Sequence, residues 1–86
     1  MPTVAIVQGI LIQLFFSDHD PPHFHFRGPG FSGRIEIASG AILSAQGDVP
    51  VRAQRAPQQW TLGHRAPLMD NWRRARAKQS LKKIVE

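Results

Sequence analysis

The chain has 86 residues, a hydrophobic fraction of 42% and a formal net charge of +5 at pH 7. This length allows one domain with a single core, and two Trp and five Phe argue against a disordered chain. The absence of cysteine excludes disulfides and cysteine metal sites, and favours the cytoplasm. No apolar run approaches the ~20 residues that span a bilayer, and the N-terminus lacks the basic region of a signal peptide.

The charge is unevenly distributed along the chain. Residues 1–50 contain two Arg and four acidic residues, for a net charge of −2, whereas residues 51–86 contain nine Lys/Arg and two acidic residues, for +7. Such asymmetry is typical of a polyanion-binding protein, and equally of a solvated basic helix face.

The first half of the chain, residues 1–47, is rich in β-branched and aromatic residues in short runs. Its extended segments are Thr3–Val7, Ile10–Phe16, His23–Arg27, Arg34–Ala38 and Ala41–Leu43. Turn residues such as Gly28-Pro29-Gly30 separate them, so we expect a short antiparallel β-meander of three to four strands. Strand alternation places Phe24 and Phe26 on the core side and the neighbouring histidines on the other side.

The second half predicts two helices that pack on this sheet, in an α+β fold with the chain 1–86 as a single domain. In residues 48–78, Asp48 is a candidate N-cap and Pro50 suits the first turn of a helix over Val51–Leu62. Pro57 predicts a kink or a late start in that helix. A second helix is predicted from Pro67 to about Lys78, and residues 79–86 are expected to form a frayed tail.

The tryptophans and the last histidine of the chain have structural interpretations. Trp60 and Trp72 lie on the apolar stripes of the predicted helices and are interpreted as core anchors. His64 precedes the second helix and is expected at the surface or at a helix cap.

The densest chemistry lies in the segment Asp18-His19-Asp20-Pro21-Pro22-His23-Phe24-His25. His23 and His25 are two positions apart on a strand, so their rings point the same way, roughly 6–7 Å apart. A turn stiffened by the two prolines could return His19 and Asp18 to the same place. Three imidazoles and a carboxylate form an ordinary ligand set for Zn²⁺, Ni²⁺ or Fe²⁺, and the same histidines are candidate catalytic acids or bases. Anion binding and a purely structural role remain open.

Basic residues form a second candidate site, for nucleic acid or another anion. Its members are Arg27, Arg73, Arg74, Arg76, Lys82 and Lys83. Phosphate contacts would use such residues. Basic side chains near a helix C-terminus also interact favourably with the helix dipole.

The motif Asp18-His19-x-Pro21-Pro22-His23-Phe24-His25 resembles that of a family of small bacterial proteins, the domain of unknown function 4160. The resemblance extends from Met1-Pro2-Thr3-Val4 through Arg34-Ile35-Glu36-Ile37 to Asn71-Trp72 and the Leu81-Lys82-Lys83-Ile84 tail. It implies a compact α+β fold and, as partner, a small protein encoded by a neighbouring gene, as in a toxin–antitoxin-like pair. Pro57 and Pro67 depart from the family pattern, which favours helix formers there.

Two functions follow as hypotheses. The first is a binding or regulatory module that contacts a partner protein or nucleic acid. The second is a small metal- or histidine-dependent enzyme that uses His19, His23 and His25. We favour the first, since 86 residues offer little room for a deep substrate pocket.

Overall fold

Five antiparallel strands form one sheet in chain order, and two helices follow them, in a computed structural model that describes residues 3–84. The elements are β1 Thr3–Val7, β2 Ile10–Gln13, β3 His23–Gly28, β4 Phe31–Glu36, β5 Ile42–Gly47, α1 Val51–Leu62 and α2 Arg65–Arg76. The predicted α+β class and the order of strands before helices are confirmed. Met1-Pro2, at the start of the family resemblance, and the last two residues of the predicted tail lie outside the described residues.

The predicted number of strands, three to four, is wrong because the sheet has five. Each of the five predicted extended segments overlaps one strand, and the lengths differ clearly in the last hairpin, where β4 and β5 pair from Phe31 opposite Gly47 to Ile35 opposite Ile42. Glycine has weak strand propensity and serine and glutamine give no apolar alternation, so the sequence pattern shortens both strands. Backbone pairing extends them, because the hydrogen-bond ladder does not depend on side-chain polarity.

The second strand is shorter than the predicted range of 10–16. Its last pair joins Gln13 to His25, and β3 begins only two residues before that histidine, at His23. Leu14 follows outside the sheet and is still fully buried. The apolar run therefore serves partly as a strand and partly as the start of the connection 14–22 that carries the proline pair.

The hairpin turns follow from glycine. Gln8 and Gly9 both have positive φ, as a two-residue type I′ loop between β1 and β2 requires. In the next hairpin Pro29 and Gly30 form the turn, with Gly30 at φ +76, so Gly28 pairs with Phe31. This turn sets the register of the whole β3–β4 pair.

The core lies on the side of the sheet that faces the helices. Phe24 and Phe26 are fully buried, as predicted, and Phe24 meets the ring of Trp60 edge-on at 6.1 Å between centroids. Trp72 is also buried, so the interpretation of both tryptophans as core residues is confirmed. The other side of the sheet is here called the open face. It carries polar side chains of β3, β4 and β5, namely His25, Arg27, Ser32, Arg34, Ser44 and Gln46.

The helices tolerate their prolines. Pro50 occupies the N-cap position of α1, and no side chain makes a capping hydrogen bond to this helix, so the prediction of Asp48 as N-cap is wrong. The helix continues through Pro57, which is buried, and it neither starts late nor stops there. The second helix starts at Arg65, two residues before the predicted start, because Pro67 fits the first turn, where its missing N–H has no intrahelical partner. No helix of the described chain is long and apolar enough to cross a membrane.

The segment after α2 is docked, which corrects the prediction of a frayed tail over its described part, residues 79–84. The buried Asn71 side chain donates to the carbonyl of Lys82 at 2.9 Å and accepts from its N–H at 2.8 Å. The N–H of Ile84 donates to the carbonyl of Val4 at 2.7 Å. Leu81 and Ile84 pack against the core, and this apolar burial is the physical reason for the order of the tail.

Candidate functional site: a histidine and aspartate cluster

Three side chains from the proline motif converge at the start of β3. One ligand atom each of Asp18, His23 and His25 lies within 4.8 Å of the other two. Asp18 Oδ2 is 3.4 Å from His23 Nε2 and 3.0 Å from His25 Nε2. Ligands of a tetrahedral ion with bonds of about 2.05 Å are about 3.3 Å apart, so both distances match a shared ion.

His23 is held in one orientation by the loop before it. Its Nδ1 lies 2.8 Å from the carbonyl oxygen of Pro21, which can only accept, so Nδ1 carries a proton and donates. The side chain is 3% exposed, and its buried Nε2 has no hydrogen-bond partner among residues 3–84. In the tautomer whose proton is on Nδ1, Nε2 carries a lone pair, and this atom lies 3.4 Å from Asp18 Oδ2. Strand alternation alone placed this ring on the exposed side.

His25 is more accessible and shares the same carboxylate. Its Nε2 is hydrogen-bonded to Asp18 Oδ2 at 3.0 Å. The Phe15 ring packs edge-on against the His25 ring, with 4.2 Å between ring centroids. Burial is the main influence and lowers the pKa of His25 below its usual value. The hydrogen bond and charge of Asp18 raise this pKa, while the charges of His23 and Arg34 lower it further.

The cluster is connected to the helical half by contacts between side chains. The Trp72 ring on α2 lies 5.4 Å from the ring of His23, between centroids. On the same helix, the Arg76 guanidinium lies 5.8 Å from the Trp72 ring centroid and 3.5 Å from a carboxylate oxygen of Asp20. One helix thus contacts both His23 and the proline-containing loop.

His19 was predicted to complete this cluster, and the structure does not place it there. Its side chain is exposed, and it lies outside the group formed by Asp18, His23 and His25. His64, by contrast, lies just before α2, where the sequence indicated. Its ring stacks on that of Trp60 with 4.6 Å between centroids, and its Nδ1 makes a hydrogen bond of 2.7 Å with the Trp60 carbonyl.

The predicted basic site is distributed over separate elements. Arg27 lies on β3, whereas the other members lie on α2 and on the docked tail: Arg73, Arg74, Arg76, Lys82 and Lys83. The three arginines occupy the last turn of α2, where positive charge interacts favourably with the helix dipole. Arg74 also binds Asp70 at 2.8 Å, and this hydrogen bond lowers the pKa of Asp70.

Sequence reasoning missed the cross-strand neighbours of the cluster. Arg34 pairs with His25, and Ser44 pairs with Arg34 in the next strand. The signal was present in the turn, because a two-residue loop at Pro29-Gly30 places residue 34 opposite residue 25. The contact between Trp72 and His23 had no such signal, since it joins residues 49 positions apart in the chain.

Comparison with known proteins identifies a family but no characterised relative. A family model described as Domain of unknown function (DUF4160) matches residues 9–73, which is most of the chain. No curated protein and no solved structure matches the chain. The matched range contains Asp18, His23, His25 and Trp72, and therefore both the cluster and its contact with α2.

Proposed function

The chain belongs to the DUF4160 family, and for this member we propose that Asp18, His23 and His25 bind a divalent transition-metal ion. The observation that carries the proposal is the buried, unpartnered Nε2 of His23, 3.4 Å from a carboxylate oxygen. The nitrogen and oxygen donors suit Zn²⁺, Ni²⁺ or Fe²⁺ rather than Mg²⁺ or Ca²⁺, which prefer all-oxygen shells.

A metal ion accounts for a contact that is otherwise unfavourable. In the tautomer whose proton is on Nδ1, the lone pair of His23 Nε2 lies 3.4 Å from a carboxylate oxygen of the partly exposed Asp18, and His23 itself is buried, where electrostatic interactions are strong. A proton on Nε2 would also resolve this repulsion. The metal is the better explanation because a third donor, His25, converges on the same carboxylate oxygen.

The number of ligands favours chemistry over a structural role for the ion. Structural zinc sites have four protein ligands, whereas catalytic sites have three and keep a position for water or substrate. Two histidines and one carboxylate are also the ligand set of many non-haem Fe(II) enzymes. We therefore favour a small metal-dependent enzyme over a binding module. The neighbouring-gene partner and nucleic-acid binding stay predictions.

The test is calorimetric titration of tag-free protein with Zn²⁺ and Ni²⁺. We expect one ion per chain, with a Kd on the order of micromolar or tighter. His23→Gln and His25→Gln should each weaken binding by more than the roughly tenfold to hundredfold that loss of an outer-shell partner costs. Circular dichroism of each variant establishes that it is folded, which matters for the buried His23.

His19→Gln is the matched control, since it makes the same chemical change one residue from Asp18. We expect it to bind zinc like the wild type, because His19 is exposed and outside the cluster. Loss of binding in this variant would restore His19 as a ligand, as the sequence predicted. Equal affinity in the wild type and in both cluster variants would contradict the proposal.

A further inference from the structure

A small cavity on the open face shares His25 with the cluster. Its volume is about 220 Å³, and the residues that line it include His25, Ser32, Arg34, Ser44 and Gln46. His25, Arg34 and Ser44 form one row across three strands, and Ser32 and Gln46 belong to the next row. This volume is below the ~300–1,000 Å³ of pockets for drug-sized ligands, so it suits a single small group.

Arg34 is the charged member of this cavity. Its Nε donates to the Ser44 hydroxyl at 2.9 Å, which orients the guanidinium plane. Among residues 3–84, no carboxylate lies within ion-pair distance of Arg34, and no hydrogen bond engages its Nη groups. The guanidinium therefore keeps an uncompensated charge and two nitrogen donors, the arrangement that binds an oxyanion through parallel hydrogen bonds.

We propose that this cavity holds the phosphate group of a phosphorylated ligand, beside the metal ion at Asp18, His23 and His25. The inference rests on the proposed function, since it names the class of ligand for that same site. Within the described part of the chain no carboxylate lines the cavity, and its neutral members Ser32, Ser44 and Gln46 can all donate hydrogen bonds.

Phosphate fits this combination better than a carboxylate does. A phosphate monoester carries about −1.5 to −2 charges at pH 7 and three acceptor oxygens, against one charge and two oxygens for a carboxylate. A divalent ion bound by His25, together with the arginine that pairs with His25 on β4, would supply the positive charge that such a dianion needs.

The test measures binding of inorganic phosphate by ³¹P NMR titration, with acetate as a competitor. The wild type, Arg34→Gln and Arg27→Gln are compared, each metal-free and with one equivalent of zinc. Arg27→Gln removes the same charge from the same sheet face but does not line the cavity. We expect Arg34→Gln to weaken phosphate binding about tenfold or more, as for loss of a charged hydrogen bond, and Arg27→Gln to change it less than about twofold.

Zinc should tighten phosphate binding to the wild type, and Arg34→Gln should keep the zinc affinity of the wild type. Zinc binding without phosphate binding, equal effects of the two arginine variants, or displacement by equimolar acetate would each overturn the inference and leave the metal proposal intact. Absence of zinc binding would overturn the metal proposal and with it the placement of phosphate beside a metal. A short oligonucleotide titrated in parallel tests a phosphodiester, which carries one negative charge per phosphate. Oligonucleotide binding as tight, per phosphate, as that of inorganic phosphate would contradict a site for a phosphate dianion.

Discussion

At the residue scale, His23 and His25 show how one residue type acquires two roles on one strand. His23 donates from Nδ1 to a loop carbonyl and is almost completely buried, whereas His25 is partly open to the cavity on the open face. Both face one oxygen of Asp18. The orientation of His23 is thus set by a backbone group, and that of His25 by the carboxylate and the Phe15 ring.

A pH dependence follows from the lowered pKa of His25. In the metal-free protein, the ring should titrate at a pH below the ordinary value of 6.5, chiefly because burial disfavours the imidazolium. The folded pKa lies below the unfolded one, so this contribution to stability is complete above about pH 6.5 and is lost as the pH falls through the folded value. Two-dimensional NMR of the imidazole nitrogens measures the midpoint.

Two variants test the causes of this shift. Arg34→Gln removes a positive charge that lowers the pKa, so the His25 midpoint should move upward. Asp18→Asn removes a negative charge that raises the pKa, so the midpoint should move downward. A wild-type midpoint at or above 6.5, or shifts of the opposite sign, would contradict the described environment of His25.

At the element scale, the end of α2 determines where the tail begins. The N–H of Lys78 bonds to the carbonyl of Ala75 at 3.1 Å, and that of Gln79 bonds to the carbonyl of Arg74 at 2.8 Å. This pair of hydrogen bonds is the Schellman motif, which needs a left-handed residue after the helix. Lys78 occupies that position with φ +57, where glycine is usual. The reversal directs the tail back to Asn71.

Lys78→Gly should stabilise the protein because glycine adopts a left-handed conformation without the cost of a Cβ atom. We expect the free energy of unfolding to rise by about 1 kcal/mol. Lys78→Ala is the control, since it removes the charge but keeps the Cβ atom, and it should give no gain. Urea denaturation of the three proteins measures the difference. A glycine variant no more stable than the alanine variant would show that the conformational cost is absent.

At the scale of the whole molecule, the contact between Trp72 and His23 connects the cluster to a part of the chain that is distant in sequence. Asp18 lies in the connection 14–22, both histidines lie on β3, and Trp72 brings α2 against His23. The tail then returns from α2 to β1 through Ile84 and Val4. An ion that binds only when these parts are assembled must stabilise the complete fold, because the unfolded chain has no preformed site.

Zinc should therefore raise the unfolding temperature of the protein. At a free concentration of 100 times the Kd, the stabilisation is about 2.7 kcal/mol. For a domain of this size each kcal/mol raises the Tm by about 4–8 °C, which gives an increase of about 10–20 °C. Differential scanning calorimetry with zinc, and again after addition of a chelator, measures the effect. His25→Gln should show almost no zinc-dependent increase, and an equal increase in this variant would place the ion elsewhere.

The local parts of this structure were predictable from the sequence. Turn residues, strand alternation and the Pro-Pro connection act over neighbouring positions, so the strands before the helices, the buried Phe24 and Phe26, and the α+β class follow from local patterns. The ranges of β1 and α1 agree with their predictions to the residue. The family was also recognisable from the sequence, through the proline and histidine motif and the resemblance that extends on both sides of it.

Only the tertiary structure decided which residues meet. The sequence could not distinguish the buried His23 from the exposed His19, because burial depends on the loop path and on Trp72 from a distant helix. The sequence predicted a frayed tail, because a short polar segment has little structure by itself. The tail becomes ordered when Asn71 hydrogen-bonds to its backbone and Leu81 packs against the core. In each case the missing information is a contact between distant residues, whose free energy exists only once both sides are in place.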